Sequence, residues 1–389
     1  MIESLRILLI HQPYRMYGGE DRVFEQERDA FIRVLGKDHV WTYGSDTVYS
    51  PTWQLPFHLL HSKEHYNKVF HLVKEHRIQV VHVHNFFPWL SPSVFRAAKD
   101  AGAAVVHTLH NYRRWCVKGE LYLEKKGICE QCIKSKSRWP AVQQACYRNS
   151  TLQSLAASVA FSQFESKGDW EAVDRFIVLS KFQEKWVLER GIPPEKLVYK
   201  PNWIGHHPSV PIERRNGLVW AGRLEPSKGI DLLLKAFQQV SLNIPLTIVG
   251  SGSLEAALRK EYAHDERIQW KGLQSPEMTR QIIGSARYLL QTSLWFETFG
   301  LTILEAMQMG VPVIGFPIGT RTEFIEHGNN GFLTEPSDLA ETIQLVYDSA
   351  NYPSLSKNAF TFASTFGQDQ ILSSQLQLYR SLITNYEST

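Results

Sequence analysis

Short apolar runs, each closed by glycine, proline or polar turn residues and followed by an amphipathic stretch, recur along this 389-residue chain. That rhythm restricts the chain to parallel sheets with helical crossovers, the α/β class. Strands are expected at 6–10, 40–43, 78–83, 104–110, 174–180 and 197–202, then at 218–221, 246–249, 268–270, 288–291, 313–315 and 331–333. The length suits two domains: residues 1–202, with a Cys-rich basic insertion at 113–149, and residues 203–367. A linker is read at 203–216, where Gly205, Pro208 and Pro211 fall. No apolar run approaches the length of a membrane span. The N-terminus runs straight into a strand without a basic leader region, so a signal peptide is not expected and a cytosolic location is.

The stretch Ser293–Gly315 carries the densest chemistry. It reads as a loop that becomes a helix at about Gly300, with Ile303, Leu304, Ala306 and Met307 on an apolar face. Gly310 ends the helix and Val311-Pro312-Val313-Ile314 opens a strand. Phe299, Gly300, Leu301 and Thr302 would offer backbone N–H groups at a helix N-terminus, where anions bind. Glu297 and Glu305 flank that start. Beside an anion they are useful if they take hydroxyl donors from neutral parts of the same ligand, as a sugar nucleotide would present. The alternative is that both are first-turn acids favoured by the helix dipole.

A second segment has the same logic. The apolar run at 218–221 leads into Gly222-Arg223-Leu-Glu-Pro-Ser-Lys228-Gly229 and then a helix from Ile230 to about Val240. Strand-to-helix loops of this kind bind ligands in open α/β sheets. An Arg fork and a Lys point charge together suit a diphosphate. At surface-like dielectric each brings about 4 kcal/mol of Coulomb attraction at contact distance, before desolvation. The alternative is a solvated turn with two surface cations.

Together, Gly222-Arg223…Lys228-Gly229 and the Glu-x7-Glu pair Glu297 and Glu305, set in Glu-x-Phe-Gly…Glu-Ala-Met…Gly-x-Pro-Val, resemble the family 4 retaining glycosyltransferases. The resemblance covers most of the chain. It implies the GT-B architecture, two Rossmann-like domains facing across a cleft, with the last helix (368–389) returning to the first domain. It further implies that Arg223 and Lys228 hold the donor diphosphate, that Glu297 binds donor-sugar hydroxyls, and that Glu305 binds the ribose.

The first half supplies further candidates. Gly18 and Gly19 form a Gly-Gly turn after the first strand that lacks the G-x-G-x-x-G dinucleotide fingerprint, which argues against a nicotinamide cofactor. The turn is a plain tight bend or, as the resemblance implies, a loop over the donor phosphates. His82 and His84 share a strand face, and satisfied, partly buried histidines are preferred there over a metal pair. His107 is read as structural. His110 ends its strand on the ligand edge, and the resemblance implies that it lies near the donor sugar and its phosphates. At 249–253, Val-Gly-Ser-Gly-Ser is another turn at that edge.

All four cysteines lie close together in sequence: Cys116, Cys129, Cys132 and Cys146. The C-x2-C pair with single flanking cysteines has the spacing of a structural zinc site, and free thiols or an iron–sulfur cluster are the alternatives. Structural zinc would contribute roughly 10–16 kcal/mol to ordering so long a loop. Four thiolates would leave no open position for catalysis. Charge is uneven too. Residues 1–205 carry 28 Lys and Arg against 21 Asp and Glu, whereas 206–389 carry 14 against 18. Nine basic residues against three acids fall between Arg113 and Arg148, among Trp115 and Trp139. This patch is a solvated face, a surface for anionic lipid, or a site for a phosphate-bearing acceptor. No motif supports nucleic acid. The helix expected at 152–164 reads as either core or membrane-facing.

The reading is therefore a retaining glycosyltransferase that moves a sugar from a UDP- or GDP-sugar to a glycan or lipid-linked acceptor, as in polysaccharide biosynthesis. No catalytic metal or cofactor is expected, since two cations attend the diphosphate and no Asp-x-Asp motif occurs. The expected location is cytoplasmic, at or near the inner face of the membrane. A nucleotide-sugar epimerase or phosphorylase of related fold, and a catalytically silent binding protein, are the rivals.

Overall fold

The computed structural model describes residues 5–13, 18–44, 62–205 and 211–387. The chain forms two compact units, Met1–Leu121 with Glu130–Pro201 and Ile371–Thr389, and Tyr122–Cys129 with Asn202–Gln370. Residues 371–389, at the end of the chain, thus belong with the first unit. The segment 122–129, a small antiparallel ladder, groups with the second.

Four strands open the first unit: β1 (Ile7–His11), β2 (Val40–Tyr43), β3 (Val80–Asn85) and β4 (Ala104–Thr108). The small ladder supplies β5 (Tyr122–Leu123) and β6 (Gly127–Ile128), and the sheet resumes with β7 (Arg175–Val178) and β8 (Leu197–Tyr199). Its order is β2-β1-β3-β4-β7-β8 with every pair parallel. Every residue of β1 and β3 is buried, as a sheet covered on both faces requires. The second unit repeats the plan with β9 (Leu218–Ala221), β10 (Leu246–Val249), β11 (Ile268–Gly272), β12 (Tyr288–Gln291), β13 (Val313–Gly315) and β14 (Gly331–Leu333). Their order is β11-β10-β9-β12-β13-β14, again all parallel. Trp220, Leu233, Leu234, Phe237, Ile248 and Tyr288 are in its core.

In each sheet the chain starts in the middle, runs to one edge, and then crosses to the other side. The switch falls between β1 and β3 in the first unit and between β9 and β12 in the second. Ligands of open α/β sheets bind outside the strand ends at such a point. Both alternating patterns read from the sequence are therefore realised as mixed α/β units, and element ends move by a few residues. The helix after Gly229 ends at Phe237, and Val240 is buried by a turn instead. Val311 and Pro312 precede β13 without joining it, although Leu289 N–H still donates to the Pro312 carbonyl. Part of the expected linker is packed: Trp203 and Ile204 are buried, and Ile204 bridges Gly367. Residues 206–210 of that linker, and Tyr17 beside Gly18, lie outside the described residues. Among the described residues no helix is long and apolar enough to cross a membrane.

Candidate active site

In the second unit the loops after β9 and β12 are tied to each other by backbone. Leu294 N–H donates to Ser227 O (2.8 Å), Thr292 Oγ1 donates to Lys228 O (3.0 Å), and Trp220 Nε1 donates to Thr292 Oγ1 (3.1 Å). Gly229 makes this approach possible. It sits at φ 65°, and a Cβ there would lie 2.1 Å from Thr292 O. The result brings Lys228 to Glu297: Nζ stands 2.6 Å from Oε1. Ser293 Oγ (2.8 Å) and Trp295 Nε1 (3.1 Å) donate to the same oxygen. Burial works to raise the Glu297 pKa, but Lys228 outweighs it, with Arg321 and Ser293 adding, and the carboxyl sits below its usual value. The three bonds fall on Oε1, so Oε2 is the oxygen left to take a ligand's hydroxyl.

Gly300 caps the Leu301–Gln308 helix in the left-handed region (φ 87°). The N–H groups of Gly300, Leu301 and Thr302 meet no backbone acceptor outside the helix among the described residues, while Ile303 N–H returns to Gly300 O. Phe299 offers a ligand its backbone and not its side chain. Its ring is buried against Phe324 and Phe366, so only its backbone can serve a ligand. Glu305 is buried a turn and a half into the helix, with Arg280 Nη1 at 4.0 Å. Arg223 lies exposed in the β9 loop.

One residue in this unit escaped the sequence reading. Arg321 is fully buried, donates to Phe316 O (2.8 Å) and to Ser293 O (2.5 Å), and has its pKa lowered by burial to about 10, against the opposing pull of Glu297. It therefore fixes the backbone of the loop that carries Glu297. Its Nη1 finds no partner among the described residues.

His110 belongs to the first unit, two residues beyond β4 and buried. Its Nε2 is 3.0 Å from His84 Nδ1, with the rings stacked at 5.2 Å. His84 and His110 line a pocket with Asn85, Thr108, Asn111 and Arg113. The Gly18–Gly19 turn is joined to this region by Asn111 Nδ2, which donates to Glu20 Oε1 at 3.3 Å. Gly18 N–H is already given to Asp21 Oδ2 (2.8 Å), whose other oxygen pairs with His11 Nε2 (2.9 Å). In this structure the Gly18 amide proton is thus taken by Asp21, which caps the helix. His107 is structural as read, with Nδ1 2.8 Å from Val83 O.

Among the described residues, one group of three or more His, Cys, Asp or Glu has ligand atoms within 4.8 Å of one another, and it is Glu27, His82 and His84. Cys116, Cys132 and Cys146 of the first unit form no such group. Cys116 is instead folded into its own turn: burial pushes the thiol pKa up, against backbone N–H groups of residues 118–121. Among the described residues these sulfurs are thus not gathered around one point, and no chemistry is routed through a metal there.

The fold and these loops define a glycosyltransferase of GT-B type. Residues 14–203 match the family model for the glycosyl transferase 4-like domain, and residues 206–360 match that for glycosyl transferases group 1. The chain belongs to this family. It is 26% identical to the O-antigen chain mannosyltransferase C of Escherichia coli over 53% of this chain and 57% of that one. It is 30% identical to an exopolysaccharide phosphotransferase of Streptomyces coelicolor over 55% of this chain and 24% of that one. The chain thus spans about a quarter to somewhat over half the length of these relatives. Among solved structures it resembles a sucrose-phosphate synthase from Thermosynechococcus elongatus (TM-score 0.72, 18% identity, 98% of this chain and 100% of that one). It also resembles Anabaena HepE in complex with UDP (TM-score 0.67, 19% identity, 97% and 100%).

Proposed function

We propose that the chain is a retaining glycosyltransferase that moves a sugar from a UDP- or GDP-sugar to a glycan or lipid-linked acceptor. The observation that carries the reading is the meeting of Lys228 with Glu297 at the switch point of the second sheet, beside a helix N-terminus. A diphosphate would take the free N–H groups and the cations Arg223 and Lys228, the sugar hydroxyls would take Glu297, and Glu305 would take the ribose. In the step itself the anomeric carbon loses its bond to the diphosphate oxygen and gains one to the acceptor oxygen on the same face. The acceptor's proton passes to the departing diphosphate. Preorganised cations would stabilise the charge that develops there. A relative named for O-antigen mannosyl transfer and a fold neighbour holding UDP support the substrate class.

Two further parts belong to this reading. A cytoplasmic enzyme with a lipid-linked acceptor would work at an anionic membrane surface, and an exposed apolar face in the first unit supports that. The Thr151–Ser166 helix exposes Leu152 (79%), Leu155 (41%) and Val159 (53%) on one side, and Trp139 is 57% exposed. Lys134, Lys136 and Arg148 are exposed on neighbouring segments. Structural zinc rests on the cysteine spacing alone, and metal analysis of the purified protein decides it.

The test is thermal shift and turnover with UDP-, GDP- and ADP-sugars on wild type and Glu305→Ala. One nucleotide series should stabilise the wild type and lose that effect in the variant. Product formation without acceptor would favour an epimerase, dependence on orthophosphate a phosphorylase, and no binding at all a silent fold.

A further inference from the structure

The pocket of the first unit opens at the C-terminal ends of β3 and β4, and Phe87, Arg113, Arg114 and Trp170 are part of its wall. Of the described residues that line it none is Asp or Glu, and two are arginines. Arg113 is held at both ends. Its backbone N–H donates to Asn111 Oδ1 (3.1 Å), its Nη1 donates to Val117 O (3.3 Å), and its guanidinium carbon lies 4.6 Å from the centre of the Phe87 ring. Arg114 lies among rings, with its guanidinium carbon 5.1 Å from the centre of Trp170, 5.3 Å from Phe176 and 5.7 Å from Trp115.

The charge on Arg114 is not neutralised by its surroundings. Burial lowers its pKa, and Glu165 and Glu171 win back only part of that, acting through space without a hydrogen bond to it among the described residues. Trp170 is buried as well, and its indole Nε1–H finds no acceptor among the described residues. The three histidines of the wall, His84, His107 and His110, have pKa values lowered by burial, in keeping with neutral rings. The positive charge of the pocket is therefore that of the two arginines. A buried cation and a buried donor both call for an acceptor, and an anionic oxygen group answers both. The other buried charged cluster of this unit differs in being complete: Glu27 pairs with Lys200, and Gln375 Nε2 donates to Glu27 Oε2 at 2.8 Å.

We propose that this pocket binds an anionic oxygen group of the acceptor, a carboxylate or a phosphate, with Arg113 and Arg114 as its counter-charges and the Trp170 indole N–H as a further donor. The acceptor is then acidic, either a glycan that carries a uronate-type sugar or a lipid-linked unit that carries phosphate. A guanidinium fork serves both groups. That the group belongs to an acceptor rests on the function proposed above. That the pocket takes an anion does not.

The test is a titration of the intact protein labelled with nitrogen-15 at tryptophan, with the Trp170 indole signal assigned by its loss in Trp170→Phe. The probes are methyl glucuronide, inorganic phosphate and the neutral methyl glucoside. Saturable binding of the glucuronide or of phosphate that shifts the Trp170 signal is expected, with no such shift from the glucoside. Arg114→Gln should weaken that binding about tenfold or more, the scale of a lost charge-assisted hydrogen bond. Arg114→Lys, which keeps the charge, should recover part of the loss. A response to the glucuronide alone assigns the pocket to an acidic sugar, and a response to phosphate alone assigns it to a phosphate-bearing acceptor. The inference is overturned if neither anion moves the signal, if the glucoside binds as well as the glucuronide, or if Arg114→Gln binds as tightly as the wild type. If Arg114→Gln does not fold, the three wild-type titrations still decide. If no nucleotide sugar binds while the anions do, the transferase reading fails and the anion pocket stands.

Discussion

Lys228 Nζ and Glu297 Oε1 stand 2.6 Å apart although 69 residues separate them in the chain. The pair joins the two loops on either side of the sheet's switch point. It also sets a competition, because the cation that a diphosphate would attract is already neutralised by the carboxylate that a sugar would address. The Trp295 ring, 5.0 Å from the ammonium, keeps Lys228 in place from a further side. A diphosphate bound there would have to share Lys228 with the carboxylate.

Lys228→Ala should separate these roles. It leaves Glu297 largely buried without its main counter-charge, so the variant is expected to lose about 3 kcal/mol of stability and its thermal shift with the nucleotide sugar. Glu297→Gln removes the charge and keeps the volume. It should still bind the nucleotide yet turn over about a hundredfold more slowly, the scale of losing one group that attends the transition state. Calorimetry and turnover on both proteins check this. Equal nucleotide affinity in wild type and Lys228→Ala would remove Lys228 from the donor site.

Gly229→Ala tests the loop geometry without touching a charge. A methyl group would drive into the Thr292 carbonyl, and the left-handed backbone adds strain. The β9 loop must then part from the β12 loop and carry Lys228 away from Glu297. We expect a loss of about 2–3 kcal/mol together with weakened donor binding, read by chemical denaturation and thermal shift. A variant as stable as the wild type would show that the two loops do not depend on this contact.

The second unit was largely legible before the structure, because its strands are continuous apolar runs set between glycines and prolines. Arg223, Lys228, Glu297 and Glu305 stand out for the same reason: charges at strand ends and helix starts have few structural uses. Arg321 did not stand out. In Gly-Thr-Arg-Thr it reads as a surface cation, and its burial comes only from the loop that folds over it. Glu27 was passed over as one acid among several in an amphipathic helix, although it falls on the buried stripe with Val23, Ala30 and Phe31. Its meaning depends on Gln375, 348 residues away. The cysteines are a case where spacing alone suggests a metal, while the Cys116 sulfur lies against the backbone N–H groups of residues 118–121.

The buried histidines make the first unit sensitive to acid. His82, His84 and His110 have pKa values lowered first by burial, and His107 is lowered to about 4. A histidine whose folded value lies below its unfolded value near 6.5 stabilises the fold fully above that value. The contribution is lost as pH falls from there toward the folded value. For His107 alone the full loss is about 3 kcal/mol. Glu27, held below its usual value by Lys200, adds its own loss of the same sign only below the ordinary carboxylate range. Tm should therefore fall steeply between about pH 6.5 and 4, before most carboxylates titrate. His107→Phe should flatten part of that fall, and a Tm constant down to pH 4.5 would contradict it.

The exposed apolar face of the Thr151–Ser166 helix makes the last prediction. Leu152, Leu155 and Val159 recur at helical spacing and face away from Ala157, Ala160, Phe161 and Phe164, which fill the core. If that face enters a bilayer, each side chain contributes up to about 1.5–3 kcal/mol when fully buried. The exposed Lys134, Lys136 and Arg148 would add about 1 kcal/mol each at an anionic surface. Replacing the three apolar residues by glutamate should therefore lower partitioning onto anionic vesicles by well over tenfold while leaving the thermal shift with nucleotide sugar intact. Raising salt should weaken the wild type and spare little of the variant's residual binding, because the apolar part of the attraction is not screened. Flotation with anionic and neutral vesicles measures both effects. Binding of the wild type that ignores lipid charge, or a variant that floats as well as the wild type, would remove the membrane from this face.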